Sequence, residues 1–178
     1  YLAKAIEFDE SLEYLLNTLE QDDILDDTVI VLFGDHHPYN LNFDYVNERS
    51  YVDRYTDLNE DLMPFIIYNN TVEPQTISKT ASTFDILPTL ANLFDLNYDP
   101  RYYIGKDIFS NEETIALFPS GSWVTDKAVY FASSNKYKLK DPTVDEEYIQ
   151  KINKILNDKF TASDNTLKKD YFKYSILN

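Results

Sequence analysis

The only two histidines of this 178-residue chain, His36 and His37, are adjacent, and both follow Asp35 directly. A carboxylate oxygen and an imidazole nitrogen on neighbouring residues reach one divalent cation when the backbone bends beneath them. Mixed oxygen and nitrogen donors suit Mn²⁺ or Zn²⁺ better than Ca²⁺. The structural alternative is an acid that ends a turn beside two half-exposed histidines. Gly34, one of three glycines, stands immediately before the acid, where a missing side chain lets the chain turn sharply or approach a ligand.

The preceding residues show how such a group would be placed. Thr28 to Phe33 (Thr-Val-Ile-Val-Leu-Phe) is an unbroken run of strand-favouring residues without alternation, the pattern of a strand buried on both faces. Ligand crevices of open α/β sheets lie outside the carboxyl ends of strands, which is where Asp35 and His36 fall. Before this strand, Ala5, Phe8, Leu12, Leu15, Leu16 and Leu19 recur at three- and four-residue spacings, predicting an amphipathic helix over residues 1–20 with one buried face. After it, residues 40–61 read as a surface excursion with one short helix near 47–55. Leu62 to Tyr68 reads as a second apolar strand with Pro64 in its first part. A helix opening at Ser82 or Thr83 carries Phe84, Ile86, Leu87, Leu90 and Leu93, with Pro88 in its first turns or at a kink. Short strands at 114–118 and 128–132 suggest antiparallel pairing. Residues 144–160 and 162–174 then read as helix. This order predicts an α/β layer fold with a mainly parallel sheet flanked by helices and a small antiparallel hairpin near the C-terminus.

Composition removes several function classes. The chain carries 31 acids and 16 bases, a formal charge of −15, distributed as 24 acids and 6 bases over residues 1–126 and 7 acids and 10 bases over residues 127–178. A polyanion such as DNA or RNA is repelled by most of that surface, so no nucleic-acid partner is expected. With no cysteine there are no disulfides, thiolate metal sites or thiol nucleophiles. No window reads as a transmembrane span. Fifteen tyrosines and eleven phenylalanines are too many for a disordered acidic segment.

The stretch from Asp27 to His36 (Asp-Thr, an apolar run, Gly-Asp-His) resembles the corresponding signature of the alkaline phosphatase and sulfatase superfamily, in particular the lipoteichoic acid synthase-like phosphoglycerol transferases. Three further landmarks follow in order: Met63 to Tyr68, Thr83 to Leu90 (Thr-Phe-Asp-Ile-Leu-Pro-Thr-Leu), and Gly105 to Ser110 (Gly-Lys-Asp-Ile-Phe-Ser). The opening helix Tyr1 to Asp9 is similar as well, and the likeness fades beyond Trp123. The resemblance implies a partial alkaline phosphatase-like sandwich in which residues 1–178 form the carboxyl-terminal portion of a catalytic domain. It implies one divalent metal, Mn²⁺ favoured with Mg²⁺ or Zn²⁺ possible, with Asp35 and His36 as two of its ligands. The threonine nucleophile is expected upstream of this chain, since no threonine here has the matching context.

By the same resemblance, the whole protein transfers phosphoglycerol from a glycerophospholipid or polyol-phosphate substrate through a phospho-threonine intermediate. It would be held at the extracellular face of a bacterial membrane by segments outside this chain. A sulfatase or phosphatase of the same superfamily, and a non-catalytic surface module with a vestigial Asp-His pair, are the competing readings. His37 and Tyr39 are weaker candidates for contact with the phosphate or its leaving alcohol, the alternative being packing behind the ligands. Tyr39, Phe43, Tyr45, Tyr51 and Tyr55 could line a groove for a sugar or glycerol, or pack an inserted helix. Asp85 is expected to complement a helix dipole, Lys106 and Asp107 to form a turn, and the Asn69-Asn70-Thr71 triplet to carry no function.

Overall fold

A computed structural model describes residues 1–37, 39, 41–50 and 58–175, and the chain divides into two compact units, residues 1–77 and 78–178. In the first unit, helix α1 spans Leu2–Gln21, free of glycine and proline and rich in Leu and Glu. It ends in a Schellman motif: Asp23 takes the left-handed conformation at φ 59°, and the Ile24 and Asp23 N–H groups donate to the Leu19 and Glu20 carbonyls at 3.0 and 3.1 Å. The expected helix is present, but its buried face is not. No α1 residue is buried; Leu12, Leu16 and Leu19 are half-covered, while Ile6 and Phe8 are each 59% exposed. Periodicity reports which face is apolar, and burial requires in addition an element to lie on it.

Strand β1, Ile30–Phe33, pairs with strand β2, Phe65–Tyr68, from Ile30 opposite Tyr68 to Phe33 opposite Phe65. The pair is antiparallel. The α/β class stands, but the mainly parallel sheet does not occur among the described residues, and neither strand is buried on both faces. An unbroken apolar run is equally suited to either strand direction, and the long excursion between residues 34 and 64 lets the chain return beside itself in the opposite sense. Beyond Phe33 the Gly34 N–H donates to the Pro64 carbonyl at 3.1 Å, adding one rung past the ladder. Pro64 has no N–H to offer, but its carbonyl suffices here. At the other end Asn69 Nδ2 donates to the Asp26 and Thr28 carbonyls, both at 2.9 Å, while its Oδ1 accepts from Thr71. Within the excursion lies helix α2, Phe43–Glu48, capped by Asn42, whose side chain accepts from the Tyr45 N–H at 3.1 Å. The expected helix near 47–55 thus sits earlier, and residues 51–57 lie outside the described ones.

The second unit opens with helix α3, Thr83–Leu93, on the N-cap Ser82. Asp85, 2% exposed, is its organising residue: one carboxylate oxygen accepts from the Ser82 N–H at 2.7 Å and the Ser82 hydroxyl at 3.0 Å, the other from the Lys106 N–H at 2.7 Å. The carboxylate thus joins a capping box to a loop 21 residues on. Pro88 lies inside α3 and removes the donor that Phe84 would otherwise meet. Gly105 crosses at this place, where an added Cβ would stand 2.0 Å from the Phe84 oxygen. The loop's close approach therefore requires glycine there.

Four strands follow, β3 Ala116–Leu117, β4 Trp123–Val124, β5 Ala128–Phe131 and β6 Lys136–Leu139, joined in sequence order as an antiparallel meander. The small hairpin expected here is therefore a four-stranded sheet. The C-terminal helical pattern forms one long helix α4, Glu146–Lys168, capped by Asp145, and a short α5, Tyr171–Ser175. Ile149, Ile152 and Leu156 of α4 pack on Leu117, Trp123 and Ala128, and the Trp123 indole N–H donates to Asn153 at 2.8 Å. Among the described residues no helix is long and apolar enough to cross a membrane.

Replacing Asp85 with Ala should cost about 3 kcal/mol of stability, because it removes a cap and leaves buried donors unmet. Gly105→Ala should destabilise as well, through the clash with Phe84. Denaturant titration of both variants checks this, and a midpoint for Asp85→Ala equal to wild type would show that the carboxylate holds nothing in place.

Candidate metal centre

The end of β1 places the candidate residues. Gly34 leaves room for Met63: a Cβ there would stand 2.9 Å from Met63 Sδ, so a side chain at 34 would require Met63, just ahead of β2, to shift. The chain bends at Asp35 and His36, and both side chains emerge into solvent, 84% and 50% exposed. His36 Nε2 lies 3.6 Å from Asp35 Oδ1. Two donor atoms each about 2.1 Å from a common cation stand no more than about 4.2 Å apart, so this spacing admits a shared ion.

The His36 tautomer follows from its other nitrogen. Nδ1 lies 2.7 Å from the His37 carbonyl oxygen, which can only accept, so Nδ1 carries the proton. In the neutral ring the lone pair then sits on Nε2, the atom that faces Asp35. A backbone carbonyl fixing the far nitrogen of an imidazole is the usual support of a histidine ligand. The donor set therefore fits a divalent cation as two of its ligands. Among the described residues no group of three His, Cys, Asp or Glu side chains is placed to hold a metal.

His37 points elsewhere. Its Nδ1 lies 3.3 Å from Asp61 Oδ1, and Asp61 is a residue that sequence reasoning did not single out. It belongs to a short 3-10 turn at Asn59–Asp61, entered through Leu58 in the left-handed region at φ 63°. Only spatial proximity links it to the histidines; its spacing of 24 residues carries no signal. Tyr39 gathers both rings, stacking on His36 at 4.5 Å between centroids and meeting His37 edge-on at 4.6 Å. The four predicted residues Asp35, His36, His37 and Tyr39 are thus together, with Tyr39 68% exposed on the outside.

The other candidates resolve as structure. Asp107 accepts from Asn92 Nδ2 at 2.8 Å and from the Phe109 N–H at 2.9 Å, and Lys106 pairs with Glu112. Of the aromatic set, Tyr45 lies under the Arg49 guanidinium at 3.7 Å, and Tyr51 and Tyr55 fall outside the described residues.

A direct test of the ligand geometry is the protonation of His36 without metal. Long-range ¹⁵N–¹H correlation spectra at alkaline pH should show the proton on Nδ1. A ring protonated on Nε2 would contradict the hydrogen bond to the His37 carbonyl and block the atom assigned to the cation.

Comparison with known proteins gives these observations a family. Residues 1–96 match the sequence profile described as Sulfatase, a span that runs from α1 through both strands and the Asp35-His36 pair to the end of α3. The chain is 27% identical to lipoteichoic acid synthase 2 of Bacillus subtilis over 142 residues, covering 77% of this chain and 22% of that protein. It is 24% identical to the lipoteichoic acid synthase-like protein YvgJ of the same organism, covering 94% and 28%. It is 27% identical to lipoteichoic acid synthase of Staphylococcus saprophyticus, covering 98% and 28%. The chain spans about a quarter of the length of these relatives. Since the matched profile covers more than half of the chain and contains the strand, turn and helix that place Asp35 and His36, the chain belongs to the sulfatase family.

Proposed function

We propose that this chain supplies two ligands of a divalent metal centre, Asp35 and His36, to a protein that transfers phosphoglycerol at the outer face of a bacterial membrane. The observation that carries the reading is the convergence of Asp35 Oδ1 and His36 Nε2, 3.6 Å apart, at the end of β1 inside the family-matched segment. The names of its relatives, lipoteichoic acid synthases, support phosphoglycerol transfer over the rest of the superfamily's chemistry. A bound Mn²⁺, Mg²⁺ or Zn²⁺ would supply Lewis acidity, lowering the pKa of an attacking hydroxyl and offsetting charge on phosphoryl oxygens.

The residues of this chain do the positioning. Asp35 contributes a full negative charge that raises affinity for a dication. The His37 carbonyl holds His36 in the tautomer that presents Nε2 outward. Tyr39, lying across both imidazoles, limits rotation of the His36 ring and presents its exposed edge toward the solvent where a phosphorylated alcohol would arrive. His37, held by Asp61, stands beside that space as a group able to contact the phosphate or its alcohol. In this reading the donor is a glycerophospholipid, and the nucleophilic threonine and the membrane attachment would come from segments outside these residues. A sulfatase or phosphatase of the same family is the alternative, favoured by the description of the matched profile itself.

In the full-length protein, Asp35→Ala and His36→Ala should each lower phosphoglycerol transfer by at least a hundredfold while leaving the thermal midpoint nearly unchanged, since both side chains are exposed. Full turnover by either variant at saturating metal would end the proposal. Turnover of an aryl sulfate, with none of a glycerophospholipid, would transfer the site to the alternative. The 178-residue chain by itself should bind Mn²⁺ weakly, because its described residues bring two donors together where a stable site uses four or more. Calorimetric titration showing tight one-to-one binding would mean that further ligands lie within the chain.

A further inference from the structure

The contact between His37 and Asp61 joins the end of β1 to a distant turn. Asp61 closes the 3-10 turn Asn59–Asp61, and among the described residues its carboxylate meets only His37, whose Nδ1 lies 3.3 Å from Asp61 Oδ1. The turn is entered through Leu58 at φ 63°, a left-handed conformation that leucine adopts at a cost. A pair with side chains 31% and 46% exposed contributes little to stability in return. Stability alone therefore does not account for the contact.

What the contact does fix is the tautomer of His37. An ionised carboxylate accepts hydrogen bonds and cannot donate them, so the neutral ring carries its proton on Nδ1 and its lone pair on Nε2. A neutral imidazole without such a partner favours the opposite arrangement. Nε2 stands on the far side of the ring from Asp61 and has no hydrogen-bond partner among the described residues. It is not a third metal ligand either, since no three His, Cys, Asp or Glu side chains among those residues are placed to share an ion. A phosphoryl oxygen is also an acceptor only and is repelled by that lone pair, whereas an alcohol O–H donates to it. The centroids of both imidazoles lie within 4.6 Å of that of the Tyr39 ring, His36 on its face and His37 at its edge. One small phosphorylated alcohol is therefore long enough to meet both, its phosphate toward the ion and a hydroxyl toward His37.

We propose that Asp61 is a positioning residue that holds His37 as a hydrogen-bond acceptor at Nε2, and that His37 thereby selects a hydroxyl-bearing phosphoester by contacting its alcohol and not its phosphate. The place of the phosphate rests on the metal-centre reading of the preceding subsection; the tautomer does not depend on it. Selection of this kind favours phosphoglycerol over an alkyl phosphate of the same length, because a ligand without the hydroxyl leaves the lone pair facing a carbon chain.

Two measurements test it. In nitrogen–proton correlation spectra of the metal-free 178-residue chain at alkaline pH, His37 should carry its proton on Nδ1, and Asp61→Leu should move it to Nε2 while backbone amide shifts elsewhere stay in place. In the full-length protein, calorimetric titrations with glycerol 3-phosphate and with propyl phosphate, each with and without Mn²⁺, read the contact to ligand. His37→Phe should weaken glycerol 3-phosphate about tenfold and leave propyl phosphate unchanged. Asp61→Leu should weaken glycerol 3-phosphate several-fold, again without effect on propyl phosphate. A wild-type proton on Nε2, equal loss of both ligands in either variant, or no loss of glycerol 3-phosphate in His37→Phe would overturn the proposal. Phosphate binding that needs no Mn²⁺ would instead end the metal-centre reading, while the selective loss in the two variants would still stand or fall by itself.

Discussion

One backbone hydrogen bond decides where the candidate site of the first unit stands. The Gly34 N–H to the Pro64 carbonyl is the rung that follows the β1–β2 ladder, and it fixes the last point at which the chain is still sheet. One residue later Asp35 leaves, and its direction is set by that rung and by Met63, which occupies the space a Gly34 side chain would need. Asn69 secures the opposite end of the same pair through the Asp26 and Thr28 carbonyls. A four-residue two-stranded sheet has little apolar burial to hold its register, so these flanking bonds carry much of that task.

The heavy acid content has a structural use beyond repulsion. With three glycines in 178 residues, the chain must end its helices in the left-handed region with other residues, and Asp23, Asp95 and Asp170 do so after α1, α3 and α4 at φ 59°, 50° and 49°. Aspartate tolerates that conformation better than most side chains because its short polar group can bond locally. Asp145 and Asp99 cap helical turns through backbone N–H groups at 2.8 and 3.0 Å, and Asp85 does so while buried. Several carboxylates that the composition reports only as charge are thus hydrogen-bond acceptors for backbone that glycine or serine would otherwise serve.

The helices α1, α3 and α4, both long apolar runs and the convergence of Asp35 with His36 were legible because each is written in local spacing. Strand direction was not, since a continuous apolar run carries no sign of which neighbour it faces. Strands β4 and β6 were missed for different reasons: Trp123–Val124 is too short to show a period, and Lys136 to Leu139 alternates correctly but is exposed and lysine-rich, the dress of an edge strand. The Asp61 contact to His37 joins residues 24 positions apart, and nothing in that spacing announces it. Asp85 was read correctly as a helix acid, but its second bond, to the Lys106 N–H, belongs to tertiary structure alone.

The two sheets differ in how far along the chain their partners lie, and this separates their assembly in time. In the meander, the partners nearest each turn are five or six residues apart, Leu117 with Trp123, Val124 with Val129 and Phe131 with Lys136, whereas Phe33 meets Phe65 across more than thirty. Closing the longer loop costs about 1.5 kcal/mol more chain entropy. Local contacts form quickly and distant ones wait. The second unit therefore holds the quick local sheet, while the Asp35-His36 pair acquires its geometry only when the slow, distant strand pairing is complete. On refolding of the whole chain from the denatured state, the meander would form before Asp35 and His36 reach their final geometry, an order set by loop length.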